Sequence, residues 1–167
     1  MKIGVIAGSF DPITRGHSWL IDRGVELTDL LYIVVGINHA KKYTFTLDER
    51  IAMVEQSYKM EIEAKRVEVV TTGNMLLVDY AARIARAQYL VRGIRNAVDF
   101  QYEQEMQQLN AEIQPDIRTV FFMSPPNLAT VSSSVVKSVV GWDGWQTTIR
   151  DKVDPHVLRA LEERLTK

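Results

Sequence analysis

The sequence predicts a doubly wound α/β domain, with a five-stranded parallel sheet covered by helices on both faces. Five short apolar runs alternate along the chain with longer stretches of helical periodicity. The runs are continuous, without the polar–apolar alternation of a sheet that has one solvated face, as expected for parallel strands buried on both sides. Right-handed crossovers between such strands then generate the doubly wound arrangement.

The strands are identified by composition and by the residues that end them. They are rich in valine, isoleucine and leucine, and glycine follows closely on two of them, at Gly8 and Gly93. A glycine adds no side chain to the packing of a strand, which favours a break at these positions. The predicted strands are, in chain order, 2–7, 31–36, 67–71, 89–91 and 119–123.

The helices are identified by apolar spacing and by capping residues. Thr46 and Glu49 have the spacing of a capping box, Asp99 can cap the helix after the fourth strand, and Pro155 suits a first turn. The predicted helices span about 16–28, 46–58, 76–86, a segment from Asp99 with the apolar stripe Tyr102, Met106, Leu109 and Ile113, then 132–140 and 154–165.

Length and composition limit the classes of function. The 167 residues suit one domain, 1–167, with a helical tail over about 141–167. The absence of cysteine excludes disulfides, cysteine nucleophiles and thiolate metal sites, and we expect no metal site built from side chains alone. A net charge of -1 gives no general attraction to nucleic acid or anionic membrane, and no apolar run reaches the roughly 20 residues of a membrane span. We therefore expect a cytoplasmic protein with neither nucleic acid nor membrane as partner.

Small and cationic residues follow four of the five predicted strands. Ligands of doubly wound sheets bind beyond the carboxyl ends of the strands, and helix N-termini attract anions, so this rim suits a polyphosphate. Taken singly, each feature has an ordinary explanation as a turn, a helix cap or a solvated charge, and only their joint placement favours a site. The segments are Gly8 to Phe10 with Gly16-His17, Lys41-Lys42, Arg92 to Arg95, and Ser132 to Lys137.

The first of these segments resembles a known signature. Neither G-x-x-x-x-G-K-[ST] nor G-x-G-x-x-G is present, but Gly8-Ser9-Phe10-Asp11-Pro12 followed by Thr14-Arg15-Gly16-His17 is similar to the T-x-G-H motif of nucleotidyltransferases. Within that superfamily the chain most resembles the bacterial phosphopantetheine adenylyltransferase family. Four further segments carry the resemblance in order: Lys41 with 46–50, then 76–81, 92–95 with 99–103, and 131–137.

The resemblance implies a Rossmann-like enzyme of coenzyme A biosynthesis. It implies reversible transfer of the adenylyl group of ATP to 4′-phosphopantetheine by direct in-line displacement, giving dephospho-coenzyme A and pyrophosphate. It also implies Mg²⁺ as cofactor, a homohexamer, and coenzyme A as an inhibitor. Two alternatives stay open: a related adenylyl- or cytidylyltransferase with another acceptor, such as nicotinamide mononucleotide, and a regulator that binds nucleotide or coenzyme without catalysis.

The resemblance also assigns roles to individual residues. It implies that His17 stabilises the transition state at the α-phosphate, and that Lys41 and Arg92 hold the phosphate of the acceptor. Ser9 and Leu77 complete the implied acceptor site, with Leu77 against the pantetheine arm. The implied ATP site comprises Ser9, Phe10, His17, Gly93, Ile94, Arg95, Glu103, Leu128, Ala129, Thr130, Val131, Ser132, Ser133 and Ser134.

Overall fold

The structure, a computed structural model that describes residues 1–38 and 41–165, is built on one five-stranded sheet. All strand pairs are parallel, and the spatial order is β3-β2-β1-β4-β5. The predicted α/β fold class is therefore confirmed. The strands are β1 Ile3–Gly8, β2 Leu30–Val35, β3 Val67–Val70, β4 Tyr89–Ile94 and β5 Arg118–Met123.

Helices connect the strands and complete the chain after β5. Among the described residues, no helix is both long enough and apolar enough to traverse a bilayer. The helices are α1 Arg15–Leu27, α2 Leu47–Ser57, α3 Lys59–Glu63, α4 Leu77–Asp79 continued by a π-helical turn Tyr80–Ile84, α5 Ala97–Ile113, α6 Ser133–Val139, α7 Trp145–Ile149 and α8 Pro155–Leu165.

The strand order places a switch point at the centre of the sheet. From β1 the chain builds β2 and then β3 on one side, and it returns to add β4 and β5 on the other. The segments that leave the carboxyl ends of β1 and β4 therefore diverge, and a crevice opens between them. This is where ligands bind in sheets of this type.

Two apolar clusters cover the two faces of the sheet. Val5 and Ile6 are neighbours in β1, yet Ile6 belongs to the cluster with α1, α2 and α8, and Val5 to the cluster with α4. Successive strand side chains point to opposite faces, so this division shows that β1 is buried on both sides. Trp145 and Leu161 lie in the first cluster, so the C-terminal segment packs onto the sheet domain.

Two predicted boundaries are wrong. Strand β4 runs through Gly93 to Ile94, where a Cβ on Gly93 would lie 2.8 Å from Leu20 Cδ2. The glycine thus makes room for α1 and does not end the strand. Helix α5 is capped by Asn96, whose side chain accepts the backbone N–H of Asp99 at 2.9 Å, so Asp99 lies inside the first turn and is not the cap.

The helical segment before β4 also differs from its prediction. The segment 76–86 forms only one short helix and a π-helical turn, in which Ala85 N–H donates to Tyr80 O. Helices α3 and α7 were not predicted, because five residues are too few to show an apolar period.

Candidate active site

Two adjoining cavities open at the carboxyl ends of the strands. The larger, about 440 Å³, is lined by Ser9, Phe10, Asp11, His17, Lys41, Lys42, Tyr43, Arg95, Ser132, Ser133, Ser134 and Lys137. The smaller, about 160 Å³, is lined by Ala7, Gly16, His17, Leu20, Val91, Arg92, Gly93, Arg95, Glu103, Ser124, Leu128, Val131 and Ser132. His17, Arg95 and Ser132 line both, so the two cavities meet at the switch point of the sheet.

His17 lies in the first turn of α1, and its hydrogen bonds define its protonation. The backbone N–H of Thr14 donates to His17 Nδ1 at 3.1 Å, and Thr14 Oγ1 lies 3.0 Å from the same nitrogen. A nitrogen that accepts a hydrogen bond carries no proton, so the proton of the neutral ring is on Nε2. Burial, with the positive charge of Arg95 as a second cause, lowers the pKa of His17 to about 4. At neutral pH the ring therefore offers a neutral Nε2–H donor.

The backbone after β1 holds Phe10 against His17. Phe10 is buried with φ 46°, and its ring meets the imidazole edge-on at 5.2 Å between centroids. A Cβ on Gly8 would lie 2.8 Å from the Phe10 ring, so a glycine is needed at that position. The loop thus fixes the orientation of the imidazole.

The starts of α1 and α6 are brought together by a second close approach. A Cβ on Gly16 would lie 2.6 Å from the carbonyl oxygen of Val131, closer than backbone packing allows. The backbone N–H groups at the first turn of a helix lack partners within the helix, and the helix dipole adds positive potential there. Two such turns beside one cavity suit an anion with several phosphate groups.

The three serines of α6 are not equivalent. Ser132 Oγ accepts the backbone N–H of Val135 at 3.2 Å as the helix cap, and Ser133 Oγ donates to Pro12 O at 2.8 Å. No hydrogen bond of the Ser134 hydroxyl is seen within the part of the chain that the structure describes, and Ser134 is exposed. The backbone amides of this turn are therefore better placed to contact an anion than the first two hydroxyls.

Both predicted arginines are held by carboxylates of α5. Arg92 Nε and Nη2 donate to Glu103 at 2.7 and 2.5 Å, and Arg95 Nε and Nη2 donate to Asp99 at 2.7 and 3.1 Å. The bonds to Asp99 raise the pKa of Arg95 further above its usual value. Paired guanidinium groups keep a fixed orientation and a fixed charge, which suits them to phosphate recognition.

An apolar groove of about 160 Å³ continues from the smaller cavity. Arg92 and Glu103 line both the groove and the smaller cavity. The predicted apolar stripe of α5, from Tyr102 to Ile113, forms one wall of the groove and is not buried against the sheet. Leu77 forms part of the opposite wall, together with Leu76 and Val78. The groove is lined by Leu76, Leu77, Val78, Leu90, Arg92, Tyr102, Glu103, Met106, Leu109, Asn110 and Ile113.

Some predicted residues do not line the two cavities through their side chains. The side chain of Ile94 is fully buried in the sheet, so only its backbone could reach a ligand. Leu128 and Val131 line the smaller cavity, whereas Ala129 and Thr130 line neither. Leu77 lies in the apolar groove.

Two buried residues in the segments that carry the resemblance, Asp11 and Arg50, were given no role in the predicted site. Asp11 is 3% exposed, and its carboxylate pairs with Lys137 Nζ at 2.6 Å. Arg50 is equally buried, and its Nη1 donates to Ser9 O at 2.6 Å and Gly36 O at 2.9 Å. Asp11 and Lys137 are 126 positions apart, so no local spacing pointed to their pairing.

A cavity of about 540 Å³, larger than either cavity at the strand ends, lies elsewhere, between α2 and α8. There Arg164 pairs with Glu49, and the His156 ring nitrogen Nε2 lies 3.0 Å from Met53 O. None of the predicted site residues lines this cavity. The candidate active site is therefore the pair of cavities at the strand ends.

Known proteins resemble this chain in sequence and in fold. The sequence matches the cytidylyltransferase-like family model over residues 5–139. It is 43% identical to the phosphopantetheine adenylyltransferase of Chromobacterium violaceum, over 96% of both chains, and 37% identical to that of Clostridium perfringens, over 99% of this chain and 96% of the other. A Plasmodium falciparum nicotinic acid mononucleotide adenylyltransferase structure shares the fold, with a TM-score of 0.65 and 14% identity over 97% of this chain and 95% of that one. The predicted resemblance to this family is thereby confirmed, and the chain belongs to the phosphopantetheine adenylyltransferase family of nucleotidyltransferases.

Proposed function

We propose that this chain transfers the adenylyl group of ATP to 4′-phosphopantetheine, giving dephospho-coenzyme A and pyrophosphate. The observation that carries the proposal is the neutral His17 donor, placed between two helix N-termini in a cavity lined by cations. Such a cavity binds a triphosphate and stabilises charge that develops at its α-phosphorus. The relatives at 37 to 43% identity support the acceptor.

In the proposed mechanism the protein positions the reactants and stabilises charge. A phosphate oxygen of the acceptor attacks the α-phosphorus of ATP, the bond to the bridging oxygen breaks, and pyrophosphate leaves from the opposite side. His17 Nε2–H donates to the α-phosphate as its equatorial oxygens gain charge. No proton transfer by His17 is needed, which agrees with its lowered pKa.

The two substrates are assigned to different parts of the site. Lys41 and Arg92 would hold the acceptor phosphate, and the apolar groove beside Leu77 would take the pantetheine arm. The first turn of α6 would bind the β- and γ-phosphates through its amides. Gly93, Arg95 and Glu103 line the smaller cavity, which suits the rest of the nucleotide.

We further propose that ATP enters with Mg²⁺, which neutralises part of the triphosphate charge. Among the described residues no group of three histidine, aspartate or glutamate side chains is suited to hold a metal ion. The Asp11 carboxylate is occupied by Lys137 and two backbone amides. This donor chemistry fits an ion bound mainly by phosphate oxygens and water, with the protein holding the phosphates.

The remaining proposals concern the whole enzyme. We propose a homo-oligomer, a hexamer by resemblance, and Val98 and Phe100, exposed at the start of α5 and outside the groove, support a contact between copies. Coenzyme A is proposed as an inhibitor because it shares the pantetheine arm with the product. Since ATP is the proposed substrate, we place the activity in the cytoplasm.

The test is pyrophosphate release from ATP with a panel of acceptors: 4′-phosphopantetheine, nicotinamide mononucleotide, glycerol phosphate and none. We expect release with 4′-phosphopantetheine alone, and a much lower rate when CTP replaces ATP. Turnover only with another acceptor would refute the assigned substrate and keep the reaction class. ATP binding without turnover on any acceptor would favour a non-catalytic regulator.

A further inference from the structure

The carboxylate of Asp11 joins three segments of the active site. Its Oδ1 accepts the backbone N–H of Phe45 at 2.9 Å, and its Oδ2 accepts that of Thr44 at 3.0 Å. Lys137 Nζ donates to Oδ2 at 2.6 Å. A single buried side chain thus connects the loop after β1, the segment 41–45 and helix α6.

Each of these segments serves a different part of the proposed site. The loop after β1 carries Ser9 and Phe10, the segment 41–45 carries Lys41, and α6 carries the serine turn. Lys41 belongs to the proposed acceptor site, and the serine turn to the proposed triphosphate site. Asp11 therefore lies where the two substrate sites adjoin.

Asp11 is unsuited to contact either substrate itself. Burial alone would raise the pKa of Asp11, but the Lys137 ammonium and the amides of Thr44 and Phe45 outweigh it, and the pKa is lowered. The side chain is thus a carboxylate at neutral pH, which repels phosphate. A carboxylate that accepts hydrogen bonds from one ammonium and two backbone amides instead holds these three donors at fixed positions.

We propose that Asp11 is a positioning residue that fixes the Lys41 segment and the Lys137 ammonium on either side of the cavity, and so aligns acceptor and triphosphate. The inference rests on the proposed function, which assigns the Lys41 side of the cavity to 4′-phosphopantetheine and the α6 side to ATP. It predicts that Asp11 controls the binding of both substrates, whereas Lys137 affects only the triphosphate side.

Two substitutions separate these effects. Asp11→Asn keeps one acceptor oxygen for the backbone amides but turns an NH₂ group toward the other donors. Lys137→Met removes the ammonium and leaves the bonds from Thr44 and Phe45 to Asp11 in place. The Asn variant therefore disturbs both sides of the cavity, and the Met variant disturbs one.

The expected results are differences in KM. Asp11→Asn should raise the KM for 4′-phosphopantetheine and the KM for ATP by about tenfold or more, the usual cost of losing a hydrogen bond to a charged group. Lys137→Met should raise the KM for ATP and change that for 4′-phosphopantetheine by less than about twofold. In the double variant the KM for ATP should match the worse single variant, because both changes act through one contact.

Asp154→Asn is the matched control. It removes an ion pair of similar length but greater exposure, Asp154 Oδ1 to Arg15 Nη1 at 2.8 Å, whose residues line neither cavity. It should lower the melting temperature and leave both KM values unchanged. A purely structural Asp11 would behave in the same way.

Several outcomes overturn the inference. A folded Asp11→Asn variant with the wild-type KM for 4′-phosphopantetheine would show that Asp11 does not position the acceptor site. A double variant whose KM for ATP rises by the product of the two single effects would show that Asp11 and Lys137 act independently. A lower KM for ATP in Asp11→Asn would show that Asp11 competes with ATP for Lys137. If circular dichroism shows that Asp11→Asn is unfolded, equal effects of Lys137→Met on both substrates still refute the inference. Failure of the proposed function is distinct, because the wild-type enzyme would then not use 4′-phosphopantetheine.

Discussion

One hydrogen bond determines how His17 can act. The Thr14 N–H occupies Nδ1, so protonation of the ring would leave two N–H groups facing each other. Burial and the charge of Arg95 act in the same direction, and together they keep the ring neutral. In the proposed mechanism His17 is therefore a fixed donor to the α-phosphate and not a general acid.

Replacement of His17 by alanine should therefore affect the transition state more than the ground state. We expect His17→Ala to lower kcat by about 10²- to 10³-fold, the range for loss of one preorganised donor, with little change in ATP affinity. Pyrophosphate release and calorimetric titration with ATP measure the two quantities. His156→Ala is the control, because that ring contacts Met53 O in α2 and lines neither site cavity. Near-normal kcat in His17→Ala would contradict the assignment.

The same variant also tests the protonation state through stability. The pKa of His17 is about 4 in the folded chain and about 6.5 in an unfolded one, so the folded state favours the neutral ring. The stability from this group is fully present above pH 6.5 and is lost as the pH falls from 6.5 towards 4. The melting temperature of the wild-type protein should fall more steeply over that window than that of His17→Ala. Parallel curves would show that the folded pKa is not lowered.

At the scale of elements, the strands were predictable and several boundaries were not. The strands are buried on both faces, so their apolar runs identify them within a few residues. Gly93 misled the prediction because its reason, contact with Leu20 of α1, lies 73 positions away in sequence. The pair of Asp11 and Lys137 is hidden for the same reason. Apolar spacing and capping residues along the sequence predict individual strands and helices. The contacts between those elements join residues far apart in sequence and are seen only in the folded structure.

Helix α1 approaches the segment before α6 most closely at Gly16, which faces the carbonyl oxygen of Val131. Alanine would favour the helix by up to about 1 kcal/mol, but its Cβ would lie 2.6 Å from the backbone oxygen of Val131. Overpacking typically costs about 1 to 3 kcal/mol, so the clash should win and shift α1. We expect Gly16→Ala to lower the free energy of unfolding in urea. We also expect a fall in kcat, because His17 moves with the helix.

Gly24→Ala on the same helix is the control for that prediction. Its Cβ would meet the Leu31 side chain at 2.9 Å, and a side chain can yield where a backbone carbonyl cannot. Gly24 lines neither site cavity, so stability can change but kcat should not. If both variants keep the wild-type kcat, the contact of Gly16 with Val131 has no role in placing His17.

At the scale of the molecule, the C-terminal helix α8 packs against residues that border the candidate active site. Arg164 of α8 pairs with Glu49 at the start of α2, and its guanidinium lies 5.5 Å from the ring centroid of Phe45. The backbone N–H of Phe45 in turn donates to Asp11. The last helix is thus connected through packed residues to the segment that carries Lys41. The sequence alone predicted the helix but not this connection.

Helix α5 exposes apolar residues near its start, at Val98 and Phe100. No residue of α5 is buried, and Val98 is 77% exposed, so the helix presents apolar surface that a monomer leaves in water. In a homo-oligomer that surface would be covered by a second copy. We expect Val98→Asp to shift the assembly toward smaller species in sedimentation velocity, because burying a carboxylate without a partner is costly. Met60→Asp on α3, at a residue 79% exposed, is the control and should leave the assembly unchanged. Equal sedimentation of the wild type and both variants would place any interface away from the start of α5.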